Sequence, residues 1–418
     1  MSADAHAAGL LVVGGGIAGL RTAEEARSAG YSGTITILSE ESVLPYDRPP
    51  LSKSILTGKS SLETITLLNA EQYADLRVDV LCGRRATSLD VASNTVHLDD
   101  GGDVSYDHLV IATGNSASKL PFATPAGVHT VRSLRDSEAL RRALADAREV
   151  VVIGAGFLGA EIAASGVESG CAVTLVEAES LPLSRVMGPD VGAAIARLHA
   201  TNGVQLRCDT SVAGFRGEGT VSGVELADGD ILPADVVVVA VGARPNTHWL
   251  EGSGLRLDDG VVCDAHGRTN VAGVYAVGDV ARWHDPDTGS HARHEDWTTA
   301  AAQGRSVGRL VASGEIEDGR ASIPYFWSDQ FGVKIQLLGS LTSRGLRIVH
   351  ENPDAGTFAG VYLDDGDRVR GVLTFGEPRV LARCRPLVLT RAHLDDVASV
   401  IAAATSPRRV VEPAPATS

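Results

Sequence analysis

Leu10–Glu41, LLVVGGGIAGLRTAEEARSAGYSGTITILSEE, and Val150–Glu179, VVVIGAGFLGAEIAASGVESGCAVTLVEAE, are one pattern written twice. Each starts with an unbroken apolar run, passes a glycine-rich turn and continues as an Ala-rich amphipathic segment. Each then turns at glycine and ends in a second apolar run closed by an acid. An apolar run without alternation fits a strand buried on both faces, as a parallel sheet covered by helices requires. The duplication predicts two βαβ units and an α/β chain with two Rossmann-like domains.

Gly14-Gly15-Gly16-Ile17-Ala18-Gly19 and Gly154-Ala155-Gly156-Phe157-Leu158-Gly159 both satisfy G-x-G-x-x-G. The first glycine permits a tight turn, the second lets backbone approach a pyrophosphate, and the third lets the helix close on the strand. The helix start then offers unpaired N–H groups and the positive dipole end to phosphate. The first unit ends at Glu40 or Glu41 and the second at Glu177, where a carboxylate accepts the ribose hydroxyls and repels a 2′-phosphate. No arginine lies within three residues after Glu177, Arg185 being the first downstream, so the second site is expected to take NADH rather than NADPH. Two sites imply two dinucleotides.

Further apolar runs end on glycine at Leu109–Gly114, Val236–Gly242 and Val274–Gly278, each reading as a buried strand that delivers a turn near a ligand. Asp100-Gly101-Gly102 and Asp228-Gly229-Asp230 mark hairpins. From about Pro324 the pattern alternates over five segments, Tyr325–Val333, Lys334–Leu341, Leu346–Glu351, Thr357–Leu363 and Arg368–Phe375, and a helix is expected over Leu387–Ala403. The expected organisation is a first nucleotide domain in two parts (1–114 and 244–322), a second inserted at 115–243, a C-terminal α+β domain with an antiparallel sheet at 323–405, and a loose tail at 406–418.

The chain of 418 residues is 44% hydrophobic, with a mean hydropathy of +0.06, too apolar for a disordered chain. No run approaches the ~20 apolar residues of a membrane span, and the start lacks the basic segment of a signal peptide, so a cytoplasmic location is expected. The net charge of −15 argues against nucleic acid as a partner. Cys82, Cys171, Cys208, Cys263 and Cys384 lie far apart, so neither a metal site nor a dithiol pair is expected. Only Lys53, Lys59, Lys119 and Lys334 are lysines, which draws attention to each.

The first fingerprint, Ala112-Thr113-Gly114, the second fingerprint and Gly278-Asp279 follow one another as in two-dinucleotide flavin reductases, which this chain resembles. Pro45-Tyr-Asp-Arg-Pro-Pro-Leu-Ser-Lys53, Arg293-His-Glu-Asp-Trp297 and Pro324-Tyr-Phe-Trp-Ser-Asp-Gln330 narrow the resemblance. They are similar to the NADH-dependent ferredoxin reductases of oxygenase systems, the putidaredoxin and rubredoxin reductase group. The resemblance implies FAD in the first site and NADH in the second. For FAD it implies contacts from Ala18, Glu40, Arg48, Ala86, Arg132 and Asp279, the last to a ribityl hydroxyl. It places Trp297 at the start of a helix facing the flavin pyrimidine, Lys53 by the flavin N5, and Glu161 near the nicotinamide and able to pair with Lys53. Arg185 and the Gly242 backbone would aid NADH, while Trp327 either packs by the flavin or fills the C-terminal core.

Related reductases of glutathione and lipoamide carry a cysteine pair after the first unit, but this chain has no cysteine between Ser39 and Leu81. A thiol relay is therefore not expected, and electrons should leave the flavin directly. The implied partner is a 2Fe–2S ferredoxin, and behind it a haem or Rieske oxygenase, with the reductase a monomer or weak dimer. Docking an acidic ferredoxin needs a local basic patch, for which Arg305, Arg309 and Arg344 are candidates. Alternatives are a rubredoxin reductase or an NADH-binding flavoprotein like apoptosis-inducing factor.

Overall fold

The computed structural model describes residues 9–286, 288–316, 323–342, 344–353 and 355–405. They form two units, residues 9–182 with 199–316 and residues 183–198 with 323–405. The expected tail at 406–418 lies outside the described residues.

The first unit holds two parallel five-stranded sheets. One runs, edge to edge, Val274–Ala276, His108–Ile111, Leu10–Val13, Ile35–Ser39, Asp79–Cys82. The other runs Gln205–Arg207, Ala172–Val176, Glu149–Ile153, Val236–Val239, Val128–His129. The two glycine fingerprints thus follow the central strand of each sheet, where strand order reverses and ligands bind. The strands Leu10–Val13 and Val236–Val239 are buried throughout, which accounts for their lack of alternation. The chain leaves the first sheet after Ile111 and returns to its edge at Val274, so the second sheet is inserted in the first. Both expected hairpins form, between Thr95–Leu98 and Asp103–Ser105 and between Gly223–Leu226 and Ile231–Pro233.

The helix Trp297–Ser313 packs closely on Ile17–Ser28, because Gly304 and Gly308 remove the side chains that would separate them. A Cβ on Gly304 would lie 2.3 Å from the Ala18 carbonyl oxygen, and one on Gly308 2.4 Å from that of Thr22. Arg309, a candidate for partner binding, instead donates through Nε to Glu25 at 2.9 Å across this crossing. Its charge is already committed inside the unit.

In the second unit five antiparallel strands run Tyr325–Gln330, Val333–Gly339, Val369–Phe375, Thr357–Leu363, Leu346–Asn352. The C-terminal sequence differs from expectation: two helices, Pro378–Leu389 and Leu394–Thr405, replace the single helix over Leu387–Ala403. Arg391 has a φ of +50°, and the Ala392 N–H turns back to the Leu387 carbonyl, so the chain reverses there. The interior Pro386 and the arginines around it obscured the first helix in the sequence. Segment 183–198 joins this unit, with the Tyr362 hydroxyl donating to the Met187 carbonyl at 2.9 Å and Arg197 pairing with Glu351 at 2.8 Å. Trp327 stacks on Tyr325 with ring centroids 5.8 Å apart. Arg344, another candidate for partner binding, pairs with Asp367 at 3.2 Å.

Candidate functional site

Both glycine loops are built alike. Gly14 and Gly154 take φ of +130° and +97°, which admit glycine alone at little cost. A Cβ on Gly19 would stand 2.2 Å from the Gly14 carbonyl oxygen, and one on Gly159 1.9 Å from that of Gly154, so the third glycine is demanded by helix packing. The middle glycines differ. Gly16 and Gly156 are extended, and a Cβ on either would meet nothing within 4 Å. Open space thus lies beside each helix start, and neither Gly16 nor Gly156 brings a side-chain cap to it. A pyrophosphate fits such a cradle at both sites.

Glu177 stands at the second cradle: Oε2 accepts from the Ala155 N–H at 2.7 Å and Oε1 from the Glu179 N–H at 3.0 Å. The carboxylate is held by the loop itself, with lone pairs left for ribose hydroxyls. Leu158 is half-buried in the first turn of the following helix. Gly242, exposed at φ +101°, follows the strand Val236–Val239. Arg185 is exposed on the short helix Ser184–Met187 of the second unit.

Around the first cradle, Ala18 is buried, and a Cβ on Gly278 would come 3.0 Å from its own Cβ. The Gly278 N–H donates to buried Gln303 Oε1 at 2.8 Å, tying this turn to the helix Trp297–Ser313. Asp279 Oδ2 pairs with Arg132 at 3.1 Å, and Arg132 Nε donates to the Asn115 carbonyl at 2.9 Å. Burial raises the Asp279 carboxyl against the pull of Arg132, and burial likewise holds the Arg132 guanidinium below its ordinary value. Thr113 and Gly114 form the turn alongside, where Thr113 Oγ1 donates to the Asn246 carbonyl at 3.0 Å and a Gly114 Cβ would lie 3.0 Å from Arg132. The Asn115 Oδ1 is buried without a hydrogen bond. This unmet acceptor, in the same neighbourhood as Arg132 and Asp279, fits a polyhydroxylated dinucleotide.

Glu40 is exposed just past the strand Ile35–Ser39, and Ala86 is buried at the start of Ala86–Asp90. Arg48 is held on both sides, donating to Glu41 Oε1 and to the Arg132 carbonyl, each at 2.8 Å. Glu41 also accepts from the Tyr46 hydroxyl at 2.7 Å. Of the two acids closing the first unit, Glu41 is engaged by protein and Glu40 faces outward.

The sequence places Lys53 and Glu161 more than a hundred residues apart; the fold brings Lys53 Nζ to 2.7 Å from Glu161 Oε2. Glu161 is only 6% exposed, on the helix behind the second fingerprint. A carboxylate so buried is expensive unless paired. Lys53 Nζ also donates to the Pro49 carbonyl at 3.1 Å. Nearby, the Trp297 indole N–H donates to Asp47 Oδ1 at 2.6 Å, and Trp297 opens its helix behind the Asp296 cap. Burial raises the Asp47 carboxyl, opposed by the Trp297 bond and by Lys53.

Sequence reasoning missed Asp47, Ser52, Asn115 and Gln303 as site residues. Asp47 and Ser52 lie inside the stretch from Pro45 to Lys53 that carried the family resemblance, so a signal was present. Asn115 and Gln303 left none, since an amide acquires meaning only from what surrounds it.

The five cysteines are unpaired. Burial pushes each thiol up, Cys384 to about 11 and Cys263 to about 12, the reverse of what a thiolate nucleophile needs. No helix of the described residues is long and apolar enough to cross a membrane.

Residues 9–304 match the family described as pyridine nucleotide-disulphide oxidoreductase, and residues 325–409 match a reductase C-terminal domain. The chain is 33% identical to rhodocoxin reductase of Rhodococcus erythropolis over 92% of its length and 90% of that protein. It is 35% identical to the ferredoxin reductase component of a chlorobenzene dioxygenase from a Cupriavidus species, over 92% of this chain and 93% of that one. Among solved structures, the covalent putidaredoxin reductase–putidaredoxin complex aligns with a TM-score of 0.87 at 32% identity, over 96% of this chain and 100% of that chain. With the family model spanning residues 9–304 and relatives matched over nine-tenths of the chain, the chain belongs to the pyridine nucleotide-disulphide oxidoreductase family.

Proposed function

We propose that this protein is an FAD-dependent NADH:ferredoxin oxidoreductase that supplies a 2Fe–2S ferredoxin and, through it, a haem or Rieske oxygenase. The observation that carries the reading is the Lys53–Glu161 pair, which ties the stretch from Pro45 to Lys53 to the helix behind the second cradle, with every thiol raised and none paired. FAD, when bound, accepts the two electrons of NADH together and passes them on one at a time, which suits an iron–sulfur acceptor. The relatives named as ferredoxin reductase components of dioxygenases support the choice of acceptor.

In this reading Gly14, Gly16, Ala18 and Gly19 cradle the FAD pyrophosphate. Glu40, Arg48, Ala86, Thr113, Gly114, Arg132, Gly278 and Asp279 frame the rest of that cofactor. Gly154, Gly156, Leu158, Gly159 and Gly242 receive NADH, Glu177 takes its adenosine ribose, and Arg185 assists. Lys53 supplies positive charge to the flavin, Glu161 sets the lysine's position, and Trp297 covers the pyrimidine side from its helix start. The protein works in the cytoplasm as a monomer or weak dimer, with FAD residues at 1–114 and 244–322, NADH residues at 115–243 and the α+β domain from 323.

NADH-dependent reduction of purified ferredoxin, rubredoxin and oxygen, assayed side by side, tests the reading. Ferredoxin should be reduced fastest. Preference for rubredoxin, or turnover with oxygen alone, would replace the acceptor, and a colourless protein that takes up no FAD would end the proposal.

A further inference from the structure

The lysine–glutamate pair has a third member. Ser52 is 3% exposed, and its hydroxyl donates to Glu161 Oε2 at 2.6 Å, the same oxygen that Lys53 Nζ meets at 2.7 Å. The competing acceptor for that hydroxyl, the Pro49 carbonyl, is 3.4 Å away, so the carboxylate holds the proton donor. The turn that carries Ser52 and Lys53, Pro49–Ser52, is itself fastened from two helices. Ser165 Oγ, on the helix of Glu161, donates to the Ser52 carbonyl at 2.7 Å, and Ser137 Oγ donates to the Leu51 carbonyl at 2.6 Å. Ser137 and Ser165 hold the backbone; Ser52 alone of these three hydroxyls reaches the charge.

Building on the function proposed above, we propose that Ser52 is a positioning residue for the flavin. Its hydroxyl fixes Glu161 beside Lys53 and offsets part of the carboxylate's charge, so that Lys53 keeps positive field for the cofactor. A hydrogen bond to an ionised group in a poorly solvated place is stronger than one between neutral groups. Without it, Glu161 draws more of its compensation from Lys53, and less of the lysine's charge remains to favour electrons on the flavin.

The test uses the flavin-loaded protein. Ser52→Ala should lower the two-electron midpoint potential of the bound flavin, read by equilibration with a redox dye. A tenfold change in the equilibrium constant is expected, about 30 mV for a two-electron couple. Affinity for NAD+ should stay unchanged. Ser165→Ala, which loosens the same turn without touching Glu161, should leave the potential where it was. In a Glu161→Gln background Ser52→Ala should have no further effect. If Ser52→Ala fails to retain flavin, Ser52→Cys, a weak donor of similar size, replaces it and should shift the potential the same way.

An unchanged or raised potential in Ser52→Ala, an equal shift in Ser165→Ala, or a full shift persisting beside Glu161→Gln would each overturn the assignment. The parent protein separates this from the underlying reading. If it binds no flavin or does not reduce ferredoxin with NADH, the function itself is wrong; if it does both, only the role of Ser52 is in question.

Discussion

Two neighbouring glycines of the second fingerprint should respond oppositely to the same methyl group. A Cβ on Gly159 would stand 1.9 Å from the Gly154 carbonyl oxygen, against a floor near 3.0 Å for real contacts. The helix Phe157–Glu168 must therefore shift by roughly 1 Å away from the loop, though Ser52, Lys53 and Ser165 fasten it through buried bonds. Overpacking of this kind costs about 1–3 kcal/mol, which at about 2–4 °C per kcal/mol lowers Tm by about 2–12 °C. Gly156 has an extended backbone, φ −71° and ψ −178°, and no atom within 4 Å of a built Cβ. Gly156→Ala should consequently fold with an unaltered Tm. Its methyl group, however, would occupy the open space that the proposed function assigns to the NADH pyrophosphate. Losing one hydrogen bond to a charged group costs about 1.5–3 kcal/mol, so NADH affinity should fall about 10- to 100-fold. Thermal unfolding and an NADH titration on both variants decide the matter. Gly156→Ala binding NADH like the parent, or losing as much Tm as Gly159→Ala, would refute the reasoning.

Other residues give sharper tests of single roles. Glu177→Ala should cut the preference for NADH over NADPH about tenfold or more in kcat/KM, by removing repulsion of the 2′-phosphate and a ribose acceptor; an unchanged ratio would move discrimination elsewhere. Arg305 is exposed on the helix Trp297–Ser313 with no ion pair among the described residues, unlike Arg309 and Arg344. Arg305→Glu should raise the KM for ferredoxin severalfold at low salt and flatten its salt dependence, whereas identical salt curves would exclude that face from docking. Asp47 has a raised folded pKa, so its ionised form opposes folding: that cost is present at pH 7 and is relieved as the pH falls through the folded value toward 3.8. Asp47→Asn keeps an acceptor for Trp297 and should flatten the Tm profile over that acid window; parallel profiles for parent and variant would show that Asp47 does not contribute.

Strands and glycine loops were legible because they depend on neighbours in the chain. The unbroken apolar runs, the fingerprints and the acids closing each unit are local patterns, and the fold realises them at the centres of two parallel sheets. The C-terminal helices show the limit of that logic. The break at Arg391 depends on a backbone reversal that no apolar period announces, and Pro386 suppresses a helix signal that the fold nevertheless supports by burying Val380, Leu381, Cys384 and Val388.

Lys53 was singled out by its scarcity and its motif, but its ion-pair partner depends on where Glu161 arrives. The sequence by itself determined two nucleotide cradles, their order and the absence of a cysteine pair beside the first, since each follows from residue type and close spacing. Only the tertiary structure decided that Ser52 and Lys53 share one oxygen of Glu161, that Trp297 binds Asp47 and that Arg309 is spent on Glu25. Each of those pairings spans more than a hundred residues along the chain. Burial there makes an unpaired charge costly, and packing of whole elements selects its partner.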